Sequence, residues 1–269
     1  PFQAIWAIMA AYGGLSALLF KLRHPRIPLL LTLQEGDEEG HILRRVGVFY
    51  PLWKLLFSRA DTVQAISSSL GNFARRHGVR VPVQIIPIGV DLKNIKYQKA
   101  NIKNIEQKEK IIITTSRLVK KNGVDILIRA CAQLTISNWK LEIAGDGQDR
   151  KKLEALAGDL GIGARVQFLG HVLPEKIPEY LSRADIFVRA SRSEGLGSSF
   201  LEAMAAGLPI IGTPVGGIPD FLKDRETGLF AKVDDAEDLA KKIEELLNDE
   251  ALRKRLVASG EALVREQYQ

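Results

Sequence analysis

At 269 residues with 46% hydrophobic and 26% charged side chains, the chain carries apolar material for one large or two modest cores. Its single cysteine, Cys131, excludes an internal disulfide framework and fits a reducing compartment. The net charge of +6 is lopsided, since residues 1–110 hold 16 Lys+Arg against 8 Asp+Glu and residues 111–269 hold 22 against 24. The basic runs KLRHPR (21–26), RRV (44–46) and RRHGVR (75–80) lack interleaved aromatics, which argues against a nucleic-acid partner. They read as solvated helix faces, or as a surface attracted to an anionic membrane or an acidic acceptor.

Residues 1–20 carry no charged side chain and are long enough to span a bilayer. Gln3, Tyr12, Gly13, Gly14 and Ser16 within them, and the strand-like PLLLTL that soon follows, favour instead a buried helix near 2–20. A strand at 29–33, a helix near 42–57, a strand at 62–66, a helix near 68–77 and a strand at 83–88 come next. DLKNIKYQKANIKNIEQKEK (91–110), with six lysines and few large apolar residues, reads as a surface linker. The expected organisation is therefore an N-terminal domain over 1–92, a linker over 93–110 and a C-terminal domain over 111–269. With no initiator Met and no signal-peptide pattern, the chain reads as a fragment at both ends, its first domain lacking its opening strands.

The second half alternates strand and helix. Strands are expected at 111–116, 140–145, 166–170, 185–190, 209–213 and 228–231, with helices near 123–134, 149–160, 174–182, 198–206 and 236–248. Short apolar strands separated by amphipathic helices predict a parallel sheet covered on both faces. Cys131 lies in LIRACAQL at helical spacing from apolar neighbours and reads as a buried, inert thiol. A parallel sheet of this kind takes its ligands beyond the carboxyl ends of the strands, where Arg117, Gly145 and Glu194 fall.

The densest chemistry lies in EGLGSSFLE. Glu194 and Glu202 stand eight positions apart around a glycine-hydroxyl turn. Gly195 and Gly197 permit a tight turn and a close backbone approach, and Ser198 and Ser199 are N-cap candidates for a helix through Ala206. Two carboxylates beside a helix N-terminus suit sugar hydroxyls and a phosphate together. The plainer alternative is a solvated loop residue and an acidic residue near a helix start.

The whole segment FVRASRSEGLGSSFLEAMAAGLPIIGTPVGGIPDFLKDRETGLF resembles the signature of family 4 retaining glycosyltransferases, with its E-x7-E motif. SRLVKKNGVDILIRA, IAGDGQDRKKLEALAGDLGI and VQFLGHV extend the resemblance, which reaches more weakly into the first hundred residues. It implies an α/β fold of the GT-B class, with two Rossmann-like domains whose parallel sheets face a cleft. It also implies a transferase that moves a hexose from a nucleoside diphosphate sugar to a glycan, lipid-linked or small-molecule acceptor, with retention and without a metal or other cofactor. By the same resemblance Glu202 holds ribose hydroxyls, Glu194 contacts the donor hexose, and Arg117 with the amides around Gly197 and Ser198 takes charge developing on the leaving phosphate. Gly195 and Leu196 complete that donor loop, Gly145 shapes the nucleotide pocket, and His171 and Val172 border the base. The implied setting is cytoplasmic polysaccharide biosynthesis, with peripheral contact at the inner face of the membrane through the basic half.

Several positions depart from the family pattern. Asn122 stands where a lysine usually precedes the glycine, so Lys121 supplies the charge from next door or the phosphate grip weakens. Gln34, in TLQEGD, replaces a histidine near the transferred sugar, and an amide can bond a hydroxyl but cannot serve as a general acid. In VGGIPD, Asp220 replaces the usual glutamate of a glycine-pair loop suited to an anion nest. AISSSL (65–70) and IPIGVD (86–91) resemble inter-domain segments of the family, Ile88 replacing an asparagine. GDGQDR fails the dinucleotide fingerprint at Arg150, and there is no D-x-D triplet, HExxH, zinc spacing or Walker loop. A nucleotide-sugar epimerase on the same fold and a non-catalytic sugar-nucleotide binding module are the alternatives.

Overall fold

The computed structural model describes residues 2–92 and 109–269, the side chain of Tyr12 excepted. The expected linker thus lies almost wholly outside the described residues. Two compact units are present, one comprising Pro1–Ile88 with Ser193–Leu196, the other Gly89–Arg192 with Gly197–Gln269.

The first unit is a four-stranded parallel sheet in the order β1-β2-β3-β4, made of β1 (Ile5–Ile8), β2 (Leu29–Leu33), β3 (Thr62–Ala65) and β4 (Val83–Ile85). The helix expected near 2–20 is corrected. Ile5–Ile8 pairs with β2 in the register Ile5↔Leu29, a π-turn follows at Met9–Gly13, and only α1 (Gly14–Arg23) is helical in the ordinary sense. Ile5, Trp6 and Ile8 are β-branched or aromatic and fit a pleated surface. The pairing with Leu29–Thr32 settled what their sequence pattern left ambiguous. The helix near 42–57 is likewise two, α2 (Glu39–Val46) and α3 (Tyr50–Arg59). Gly47 takes a positive φ of 52° that ends α2, and Pro51 suits the first turn of α3. α4 (Ser68–Arg76) is capped by Ser67, whose hydroxyl accepts from the Leu70 N–H. Trp53, Phe57, Phe73 and the buried His77 stack edge-on or tilted to form the aromatic part of this core.

The second unit is a six-stranded, all-parallel sheet with the order β10-β9-β8-β5-β6-β7. Its strands are β5 (Lys110–Thr115), β6 (Trp139–Ala144), β7 (Val166–Gly170), β8 (Ile186–Val188), β9 (Ile210–Gly212) and β10 (Leu229–Phe230), all inside or beside the expected ranges. β5 is buried on both faces beyond its first residue, because helices cover both sides of the sheet. Those helices are α5 (Val124–Cys131), α6 (Arg150–Asp159), α7 (Ile177–Arg183), α8 (Ser198–Ala205), the short α9 (Ile218–Phe221), α10 (Ala236–Asn248) and α11 (Glu250–Gln267). Cys131 is buried, and burial pushes its thiol far above the ordinary value, so it is inert as expected. α11 carries no clear apolar stripe in the sequence. Asp249 caps it, and Gly260 lets it lie against Met204 of α8. Its end is tied down where the Val90 N–H donates to the Tyr268 carbonyl. Among the described residues no helix is long and apolar enough to cross a membrane.

The fold class expected from the sequence, parallel sheets flanked by helices in Rossmann-like units, holds in each unit.

Candidate functional site

In the second unit β5 pairs with β6 on one side and with β8 on the other, so strand order reverses there. Loops leaving the carboxyl ends of β5 and β8 consequently part at this point, which is where open parallel sheets take ligands. The loop after β5 carries Arg117 and, through the turn Lys120–Asn122, Lys121. Arg117 is exposed and Lys121 half-buried. This loop is shaped by backbone contacts on two sides. Leu118 donates to the Asp146 carbonyl and accepts from the Asp149 N–H, clamping it to the loop after β6. Gly145 is required by this clamp, since a Cβ there would stand 1.9 Å from the Ser116 carbonyl oxygen. On the other side Gly123, at a φ of 65°, packs so close to Ala190 that a Cβ would meet its carbonyl oxygen at 1.7 Å.

Arg192 fixes the segment that leads into EGLGSSFLE. Its guanidinium is bidentate on Asp125 at 2.9 and 2.8 Å, its Nε donates to Asp234 at 2.6 Å, and its backbone N–H donates to the Lys121 carbonyl. Burial alone pushes Asp125 up, but the hydrogen bonds and charge of Arg192 outweigh it and hold that carboxyl below its ordinary value.

α8 begins as expected, but its cap differs. Gly197, at a φ of 94°, is the N-cap residue, and neither serine caps through its side chain. Ser198 is the first helical residue and is exposed, while the Ser199 hydroxyl accepts from Arg189. A left-handed N-cap suits glycine, and this placed the serines one step too far along to cap. Glu202 sits one turn inside and lines a cavity of about 440 Å³ with Gly89, Val90, Asp91, Val172 and Pro174 among its walls. Burial pushes the Glu202 carboxyl above its ordinary value, and the charge of Arg189 offsets part of that rise. Val172 shares the cavity with Glu202, whereas His171 is exposed beside it in sequence.

Gln34, Glu194, Gly195 and Leu196 belong to the first unit. There the Ser193 hydroxyl donates to the Gly36 carbonyl at 3.1 Å. Gly195 makes its close backbone approach to this chain itself, where a Cβ would lie 2.8 Å from the Glu35 carbonyl oxygen. Leu196 is buried, Gln34 and Glu194 are half-buried, and one Glu194 oxygen accepts from the Gly195 N–H. Glu35, which TLQEGD did not single out, is 3% exposed and accepts from the Ala10 and Gln34 N–H groups. Burial pushes its carboxyl up despite those bonds. Its carboxyl thus ties the backbone at Gln34 to that at Ala10.

Arg189 and Arg192 also went unassigned, although both stand in FVRASRSEG. A charged residue directly after three apolar strand residues was the signal for Arg189; Arg192 had none. Among the described residues no cluster of three or more His, Cys, Asp or Glu side chains could hold a metal ion.

A lipopolysaccharide core biosynthesis glycosyltransferase of Rhizobium meliloti (strain 1021) is 37% identical over 151 residues, which are 56% of this chain and 43% of that protein. A GDP-mannose-dependent alpha-(1-6)-phosphatidylinositol monomannoside mannosyltransferase of Mycobacterium tuberculosis (strain CDC 1551 / Oshkosh) is 30% identical across 97% of this chain and 70% of its own length. Among solved structures, sucrose-phosphate synthase from Thermosynechococcus elongatus superposes with a TM-score of 0.84 at 26% identity, over 100% of this chain and 70% of that one. The chain thus spans between 43% and 70% of these relatives. The family model described as glycosyl transferases group 1 matches residues 96–262, a range that contains the entire six-stranded sheet, both arginine-anchored loops and Glu202. By that match and those relatives, this chain belongs to the glycosyl transferases group 1 family.

Proposed function

We propose that the chain moves a sugar from a nucleoside diphosphate sugar to a glycan, lipid-linked or small-molecule acceptor, with retention at the anomeric carbon and no metal or other cofactor. The observation that carries this reading is the cavity of about 440 Å³ beside α8, with the half-buried Glu202 in its wall. A carboxylate there accepts hydrogen bonds from paired ribose hydroxyls, and Val172 and Pro174 offer an apolar edge for the base. The diphosphate is assigned to Arg117, Lys121 and the first N–H groups of α8, beginning at Ser198 behind the Gly197 turn. Gly145 serves by holding the Arg117 loop, and His171 flanks the base. Preorganised donors of this kind contribute about 3 kcal/mol each to the transition state.

Glu194, Gly195, Leu196 and Gln34 are assigned to the hexose side. The Glu194 carboxylate orients the sugar by its hydroxyls and forms no covalent intermediate. The bond between the anomeric carbon and the diphosphate oxygen breaks, the acceptor oxygen bonds on the same face, and its proton passes to the departing oxygen. A nucleotide-linked donor is in keeping with the GDP-mannose named for the mycobacterial relative.

The same proposal includes a cytoplasmic setting with peripheral contact at the inner membrane face, in polysaccharide or lipid-linked glycan synthesis. Val48 and Phe49, 88% and 53% exposed, lie on the turn joining α2 to α3, just beyond Arg44 and Arg45 in the last turn of α2. Apolar residues beside guanidinium groups suit an anionic lipid surface.

Calorimetric titration with UDP-, GDP- and ADP-sugars tests the donor assignment. Glu202→Ala is expected to weaken donor binding roughly tenfold or more, the loss of charged hydrogen bonds, and Glu194→Ala to lower transfer. Donor binding and turnover unchanged in both variants would overturn the reading.

A further inference from the structure

One guanidinium spans the point where the strand order reverses. Arg189 leaves β8 directly after Val188, its backbone N–H donating to the Ile211 carbonyl at 3.0 Å. Its Nη1 donates to the Ser199 hydroxyl at 2.8 Å, in the first turn of α8. Its Nη2 donates to the Asn122 side-chain oxygen at 2.9 Å. Asn122 is only 3% exposed and passes the connection on, its amide nitrogen donating to the Arg117 carbonyl at 2.7 Å. Three segments distant in sequence, the Arg117 turn, the end of β8 and the start of α8, are therefore fastened through a single side chain.

The placement has an electrostatic consequence. A fixed cation beside the first turn of α8 adds to N–H groups that already favour an anion. Glu202 feels the same charge from one turn inside the helix. Asp91 and Glu175 are the other acidic groups lining its cavity. A guanidinium also holds two partners in one plane, which an ammonium cannot do.

We infer that Arg189 is a positioning residue for the donor diphosphate, holding the Arg117 turn in register with the start of α8 and placing positive charge between them. The inference rests on the donor reading above. It also explains Asn122. Its side-chain oxygen receives the guanidinium while its amide nitrogen reaches the Arg117 carbonyl, and a lysine, which has no acceptor, could not make the first of these bonds. The asparagine at 122 is thus matched by an arginine at 189 that carries positive charge to the same turn.

Titration of GDP and UDP, each against its nucleoside, tests this in the whole chain, because the nucleoside reports the base and ribose pocket alone. Arg189→Met is expected to lower the ratio of diphosphate to nucleoside affinity roughly ten- to hundredfold while nucleoside affinity stays near wild type. Arg189→Lys keeps the charge but only one of the two bonds, so its ratio should fall only several-fold. Asn122→Lys added to Arg189→Met should recover much of the lost ratio, since the ammonium then takes the vacated place. If Arg189→Met does not fold, Arg189→Lys decides the matter: a several-fold fall in the ratio at unchanged nucleoside affinity supports the inference, and an unchanged ratio overturns it. An unchanged ratio in the arginine variants, or equal losses for diphosphate and nucleoside, overturns the inference while leaving the donor site standing. Wild-type chain that binds neither nucleotide nor nucleoside overturns the donor reading itself, and this inference with it.

Discussion

Replacing Arg192 with methionine removes the anchor that joins the start of α5, the Lys120–Asn122 turn and the loop before α10. The side chain is 13% exposed, and its partners Asp125 and Asp234 are 37% and 54% exposed. Breaking a fully buried pair costs about 3–5 kcal/mol, whereas exposed pairs contribute about 0–1 kcal/mol. With the cation mostly buried and both acids open to water, solvent screening reduces the first figure, and a loss of about 2 kcal/mol is expected. For a chain of this size that corresponds to a Tm lower by roughly 4–8 °C. The effect carries a pH signature. Because Arg192 holds Asp125 below its ordinary value in the folded state, the pair's stabilisation is complete above the unfolded carboxyl value of about 3.9. It is lost as pH falls through the lower folded value. Urea unfolding of wild type and Arg192→Met, followed by circular dichroism from about pH 7 to about pH 3, should show two curves that converge on acidification. A constant gap across that range, or no gap near neutrality, would refute the electrostatic account of this anchor.

Gly123→Ala forces a positive φ on alanine and drives a Cβ into the Ala190 carbonyl, so a loss of at least ~3 kcal/mol is expected in the same unfolding assay. Gly158→Ala, in α6 where a Cβ meets nothing within 4 Å, is the matched control and should raise stability by about 0.5–1 kcal/mol. A Gly123→Ala protein as stable as wild type would show that the contact with Ala190 yields easily. For the membrane proposal, co-sedimentation with vesicles rich in anionic lipid should exceed that with neutral vesicles, and Val48→Ser with Phe49→Ser should abolish most of it. Equal binding to neutral vesicles, or no effect of the double change, removes that part of the proposal.

Much of the second unit was legible along the chain. Its strands are short apolar runs between amphipathic helices, a local pattern, and the burial of β5 on both faces follows from it. The start of α8 was legible for the same reason, since it follows a strand end that the pattern marks. Ile5–Ile8 was not legible, because four apolar residues before an alanine-rich turn suit a helix or a strand equally. Only the partner at Leu29–Thr32 decided between them.

The sequence by itself determined the class of fold, the order of elements in the second unit, the family and the residues to suspect. Tertiary structure alone decided which arginine does what. Arg189 and Arg192 are three positions apart in one segment. The first reaches Ser199 and Asn122, and the second reaches Asp125 and Asp234, partners that stand 10 to 67 residues away. Local pattern records how a segment folds against its own neighbours, whereas a guanidinium's role is set by what the folded chain brings within hydrogen-bond reach.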